Sequence, residues 1–313
     1  MYAQNSNIYK RQGRLSKFWN NMRNQQMVVT AVFMLVPMLL LIMFTYLPFF
    51  KMIQFSFFDM KYIGERKFVG IQNYKDVFTR KDCLDALKLS LYYMVGSFVQ
   101  LALALLFAVL LTGRTRFKNF FRGSLYFPCL VGGIAVGFIF KFFFTHGFIL
   151  DTILGSVGFD KASLPYWLKD TRINNWVLVS TSVWRYMGQN MVLFIGALAS
   201  VDNTLYEAAD IDGANAWQKF RYITFPSIRT IVILNLILAI SGSLSAFEMP
   251  YVITGGGFGT STYFVLMNKI AHTNQKVGLA SAMSVVLLSL IMVVTVVQKL
   301  VERRLDGDSG KRR

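Results

Sequence analysis

The chain has little of what soluble enzymes use for chemistry. It holds two cysteines, Cys83 in a polar loop and Cys129 in an apolar block. Two thiols so placed make neither a disulfide framework nor a zinc-ligand spacing. The two histidines, His146 and His272, have no Cys or His close by in sequence, so no metal centre is expected. There is no Gly-x-x-x-x-Gly-Lys-Ser/Thr run. The glycine-rich stretch Gly255 to Thr262 lacks the lysine, so the chain has no cradle of its own for ATP phosphates. Neither a Gly-x-Ser-x-Gly elbow nor a His-Glu-x-x-His pair occurs, so a membrane hydrolase is disfavoured. Acidic residues are scarce as well, 16 against 33 Lys and Arg, for a net charge of +17. No basic-aromatic nucleic-acid motif accompanies that charge. Most of the basic residues lie between and beyond apolar blocks, where they suit anionic lipid headgroups.

Apolar residues are abundant. They make up 54% of the 313 residues, with 29 phenylalanines, and mean hydropathy is +0.45. They are bunched into six blocks: Met27 to Phe50, Leu89 to Leu111, Gly123 to Phe143, Trp176 to Val201, Thr230 to Ile253 and Val277 to Leu300. A helix needs about 20 apolar residues to cross a bilayer. Blocks this long and this uniform read as helices, because barrel strands alternate. The first is too long for a signal-peptide core and has no small-residue cleavage site, so it reads as a retained span. The expected fold is an all-α membrane protein with six transmembrane helices over 27–300. A basic segment (1–26) precedes it and a basic tail (301–313) follows.

Lysine and arginine placement sets the expected orientation. The N-terminal segment carries Lys10, Arg11, Arg14, Lys17 and Arg23 with no acid. The loop after the second block carries Arg114, Arg116, Lys118 and Arg122, and the tail carries Arg303, Arg304, Lys311, Arg312 and Arg313. Six spans put all three on one side, so both termini are expected in the cytoplasm. Phe18 and Trp19, among the N-terminal charges, suit an interfacial segment. The loop 202–229 then falls in the cytoplasm too. It is too long for a simple connection and reads as helical.

That loop runs Thr204-Leu-Tyr-Glu207-Ala208-Ala209-Asp210-Ile211-Asp212-Gly213, continues through Trp217 and Phe220, and closes Ile223-Thr-Phe225-Pro226. Thr204 with Glu207 three residues on predicts a capping box. Ala208 and Ala209 are small enough to let a partner surface close in. Gly213 is expected to end or bend the helix. Trp217 and Phe220 offer bulky apolar contacts, and Pro226 is expected to break the pattern before the fifth span. The spacing closely resembles the EAA motif of bacterial ATP-binding-cassette (ABC) importer permeases: Glu-Ala-Ala, three residues, Gly, nine residues, Ile-x-Leu-Pro. Phe225 stands where leucine is usual. Ala246-Phe-Glu248-Met-Pro-Tyr-Val-Ile-Thr-Gly-Gly-Gly257 resembles the end of the fifth span in the sugar-importer group, with Phe258 where proline is usual. Val69-Gly-Ile-Gln-Asn73-Tyr74 resembles that group's first outer loop.

The resemblance covers roughly Met27 to Arg304 and is closest to the first permease of the maltose, glycerol-phosphate and multiple-sugar systems. It implies a multi-pass subunit of the bacterial cytoplasmic membrane that moves a sugar or oligosaccharide by alternating access. The implied partners are a second homologous permease, two cytoplasmic ATPase subunits holding ATP and magnesium, and an external solute-binding protein. The implied ATPase-coupling residues are Glu207, Ala208, Ala209, Asp212, Gly213, Trp217, Phe220 and Pro226. This chain by itself would hold no cofactor and catalyse nothing.

Polar groups within spans usually face protein or a water-filled path. Arg185 and Gln189 share one helix face, and Glu248 lies near the end of the fifth block. Lys141 can snorkel and needs no special role. Sugars are held by aromatic faces and hydroxyl-pairing groups, which Tyr92, Trp184, Tyr186, Asn190, Ser241 and Ser243 supply. Packing and interfacial anchoring are the competing roles for such residues. A glycerol-phosphate importer is the neighbouring alternative. A secondary transporter is the alternative of another class, and it would show internal repeats or paired broken helices; the sequence shows neither clearly.

Overall fold

The computed structural model describes residues 22–113 and 116–310. The N-terminal segment up to residue 21, with Phe18 and Trp19, lies outside the described residues, as do Arg114 and the last three residues. The chain divides into two units, Met1–Phe55 and Ser56–Arg313.

The described part of the first unit is one helix: α1 (Met22–Leu41), a π turn (Ile42–Tyr46) and α2 (Leu47–Phe55). Its stretch Gln25–Phe55 is long and apolar enough to cross a membrane. Side chains such as Phe33 and Phe44 are exposed, and apolar residues run all round the helix, as in a membrane span.

The second unit opens with a hairpin, β1 (Phe58–Met60) against β2 (Arg66–Phe68), paired Phe58 to Phe68. Next comes the short helix α3 (Gln72–Thr79). Asn73 fastens it to the hairpin by donating to the carbonyls of Ser56 (2.9 Å) and Phe58 (3.0 Å). The long helices follow: α4 (Lys81–Thr112), α5 (Lys118–Leu130), α6 (Gly133–Phe144), the short α7 (Ile149–Ser156), and α8 (Asn174–Ala199). After two short helices, α9 (Asn203–Ile211) and α10 (Ala216–Lys219), a π turn (Phe220–Thr224) leads into α11 (Phe225–Leu244). A π turn (Pro250–Thr254), α12 (Tyr263–Asn268), another π turn (Lys269–Thr273) and α13 (Val277–Gly310) complete the unit.

Small residues set the packing. Gly96, Ala104 and Ala108 on α4 let α8 approach, so that Met191, Phe194 and Leu198 close a core with Leu101. A second core joins Ala280, Met283 and Leu287 of α13 to Tyr263, Ile270 and Val77. Gly188 on α8 lies so close to the Leu125 backbone of α5 that a Cβ there would overlap it.

Helices occupy all six predicted blocks, with differences. Four stretches are long and apolar enough to span: Gln25–Phe55, Lys81–Thr112, Ala216–Leu244 and Val277–Leu300. The third block is not one helix. α5 and α6 meet at 98°, because Val131 is extended and Gly132-Gly133 carries no side chain to stiffen the joint. Counting that pair as one span makes five. α8 covers the fourth block, but Asn174, Asn175, Arg185, Gln189 and Asn190 hold its polarity too high for it to qualify by composition. The fifth block is displaced. Its helix begins at Ala216, before the predicted Thr230, and ends at Leu244 rather than Ile253. Pro226 does not break it. The π turn just before widens the backbone, with Phe225 N–H reaching back to the Phe220 carbonyl, and this accommodates the ring.

Candidate functional site

Two features of the second unit combine polar or exposed groups in a way packing alone does not require. The first is a cavity of about 360 Å³ among α4, α8, α11 and the segment after α11. Tyr93, Gly96, Ser97 and Gln100 present one face of α4 to it, following the i, i+3, i+4, i+7 spacing of a helix stripe. α8 contributes Ser182, Tyr186, Gln189 and Asn190, and α11 contributes Asn235 and Ser243. Ser243 donates to Ser97 across the gap at 3.2 Å. Phe247 and Glu248 complete the rim.

An ion pair stands behind that rim. The Arg185 guanidinium pairs with Glu248 Oε2 and donates to the Tyr186 hydroxyl at 3.0 Å. The same hydroxyl donates to Glu248 Oε2 at 3.1 Å. Gly133, at the elbow between α5 and α6, lies directly against both charged groups, and any side chain there would collide with them. The bare elbow thus makes room for the pair.

Of the predicted path residues, Tyr186, Gln189, Asn190, Ser243 and Glu248 line the cavity. Arg185 sits buried behind it. Tyr92 packs edge-on against Trp176, Trp184 packs against Phe140, and Ser241 is half-buried off the cavity wall. Tyr93, Ser97, Gln100 and Asn235 were not foreseen. The polar stripe on α4 was readable, but a helix of such high hydropathy does not draw attention to it.

The second feature is the loop 202–229. α9 starts two residues earlier than a Thr204 cap would place it. Asp202 is the N-cap, accepting from the Thr204 N–H at 3.0 Å, so the predicted Thr204–Glu207 capping box is not formed. A capping box does form one helix later, between Asn215 and Gln218 on α10. Gly213 ends α9 at φ +74°, with Ala214 N–H bonding to the Ala209 carbonyl and Gly213 N–H to that of Asp210. Glu207, Ala208, Asp212 and Pro226 are exposed, Ala209 and Phe220 half-buried. Ile211 is 88% and Trp217 69% exposed, an apolar surface on a short polar loop of the kind that partners cover. Lys219 pairs with Asp210 and so ties α10 to α9. Asp202 is held below the usual carboxylate range by the N–H of Thr204.

Among the described residues no group of three His, Cys, Asp or Glu could hold a metal ion. His146 pairs with Asp151 at 2.9 Å, and His272 with the Tyr62 hydroxyl at 2.8 Å.

Long apolar helices gathered around a cavity with polar groups set in its wall point to a helical membrane transport protein. The chain belongs to the family described as binding-protein-dependent transport system inner membrane components, whose model matches residues 100–307. It is 30% identical to the probable starch degradation products transport system permease protein AmyD of Thermoanaerobacterium thermosulfurigenes, over 85% of this chain and 91% of that one. It is also 30% identical to the arabinooligosaccharides transport system permease protein AraP of Halalkalibacterium halodurans, over 92% of this chain and 91% of the relative. In fold it matches a chain of a bacterial alginate ABC transporter, solved in complex with an alginate pentasaccharide-bound periplasmic protein. The TM-score is 0.78 at 18% identity, covering 92% of this chain and 98% of that one. This membership overrules the secondary-transporter alternative, although the third block is indeed a broken helix.

Proposed function

We propose that this chain is the permease subunit of an ATP-driven ABC importer for a sugar or oligosaccharide, working by alternating access in the bacterial cytoplasmic membrane. The carrying observation is the cavity. Its largely apolar wall carries hydroxyl, amide and aromatic groups, the chemistry that pairs sugar hydroxyls and covers sugar C–H faces. The named substrates of AmyD and AraP, starch degradation products and arabinooligosaccharides, support the same reading. A glycerol-phosphate importer loses support, because Arg185 is already engaged by Glu248.

Six spans place both termini and the loop 202–229 in the cytoplasm. There Glu207, Ala208, Ala209, Asp212, Gly213, Trp217, Phe220 and Pro226 meet an ATPase subunit. Two such subunits bind ATP and magnesium and supply the energy. A second, homologous permease completes the pathway, and a solute-binding protein delivers substrate from outside. The alginate transporter's periplasmic protein supports that last partner.

The test is substrate-stimulated ATP hydrolysis by the complete complex in proteoliposomes, screened against a saccharide panel. Stimulation by a saccharide is expected. Stimulation by glycerol phosphate alone would replace the substrate assignment.

A further inference from the structure

The charge arrangement around the cavity carries a statement about which saccharides it takes. Among the described residues, Glu248 is the only carboxylate on the cavity wall, and no Lys, Arg or His lines it. The two members of the ion pair are unequally placed. The Glu248 side chain is 46% exposed and the Arg185 side chain 10%. Both contacts the carboxylate makes, with Arg185 and Tyr186, use Oε2. Among the described residues Oε1 has no hydrogen-bond partner, and Glu248 lines the cavity.

From this we infer that the cavity selects neutral saccharides and rejects acidic ones. The inference rests on the saccharide reading above. Glu248 Oε1 accepts from a sugar hydroxyl. Arg185 orients Glu248, but from behind, so the cavity meets the carboxylate end of the pair. A uronate in this space places carboxylate beside carboxylate with little water between them, and no cation on this wall offsets the repulsion. The fold neighbour, whose transporter was solved with the acidic saccharide alginate, shares only 18% identity, so its substrate places no demand on this cavity.

The test uses the assembly of both permeases and the ATPase subunits in nanodiscs, without the solute-binding protein, whose own specificity would mask the effect. Binding of three labelled probes of equal length is compared: a neutral malto-oligosaccharide, an oligogalacturonate, and the methyl ester of that oligogalacturonate. The neutral probe and the ester are expected to bind, and the free uronate at least about tenfold more weakly. Glu248→Gln, which leaves Arg185 charged, is expected to raise uronate binding by about tenfold relative to the neutral probe. Equal binding of uronate and ester to the wild type would overturn the proposal even if the variant failed to assemble. So would a Glu248→Gln complex with an unchanged uronate-to-neutral ratio. Failure of every probe to bind would instead sink the saccharide reading on which the proposal stands.

Discussion

The hydroxyls of Tyr206 in α9 and Thr224 in the π turn share a hydrogen bond of 2.9 Å across 18 residues of chain. With the Lys219–Asp210 pair, this bond braces α9, α10 and the foot of α11 into one piece. α11 in turn carries Asn235 and Ser243 to the cavity wall. A displacement of α9 is therefore expected to reach the cavity rather than be absorbed in the loop. As a prediction, Tyr206→Phe removes the bond, worth about 1 kcal/mol, and keeps the ring. Basal ATP hydrolysis by the complex should persist while substrate uptake per ATP falls severalfold. An unchanged uptake-to-hydrolysis ratio would show that the brace transmits nothing.

Gly213 should tolerate substitution by backbone conformation, not by volume. Its φ is +74°, and a Cβ there would meet nothing within 4 Å. Asn, which visits the left-handed region readily, is expected to keep most substrate-stimulated ATPase activity, whereas Val should abolish it. Gly213→Asp should fall between them on conformation, with its added charge opposing the coupling contact. If Val performed as well as Asn, the turn would not be what the position requires.

Gly188→Ala should loosen the α5–α8 contact. The obstacle is the Leu125 backbone, which cannot rotate away as a side chain would. Overpacking of this kind costs roughly 1–3 kcal/mol. A lower thermal midpoint of the purified complex is expected, and one equal to wild type would mean that the two helices separate freely.

Acid should loosen the segment around α7 first. Burial on its own raises the Asp151 pKa, but N–H groups of Gly147 (2.6 Å) and Trp167 (2.7 Å), with His146 and Lys161 nearby, outweigh it and hold the carboxyl below its usual value. The folded state therefore binds this proton less readily than the unfolded one. The stabilisation is complete above about pH 4 and is lost as pH falls through the lower, folded value. Asp151→Asn should cost about 2 kcal/mol at neutral pH and flatten the acid side of the thermal-midpoint curve. Parallel acid limbs in wild type and variant would assign the acid-sensitive step elsewhere.

Much of this was legible from apolar block length, which located a helix at every site where one occurs among the long elements. What escaped detection has local causes. The elbow between α5 and α6 was hidden because Gly132 and Gly133 keep hydropathy high while removing stiffness. The fifth block was displaced because the sequence gives no sign that a π turn can carry a helix through Pro226. The cap moved from Thr204 to Asp202 because both residue types cap well and only backbone geometry separates them. In the cavity, the α8 residues stood out as polar groups in an apolar run. Tyr93 and Ser97 did not, since tyrosine and serine are equally at home in helix packing. The pairing of Arg185 with Glu248 joins residues 63 apart in sequence, which no spacing rule reaches.

The π turn at Phe220–Thr224 also fixes an angular phase. It holds one residue more per turn than the helix on either side, so the face bearing Trp217 is wound by about 100° relative to the face bearing Asn235. Deleting a single residue from this turn would leave the chemistry of both faces untouched and turn one against the other like a mis-set key. The orientation of the loop's exposed surface relative to the cavity is thus stored in one surplus residue, and length at this point is as much a part of the protein's specification as sequence.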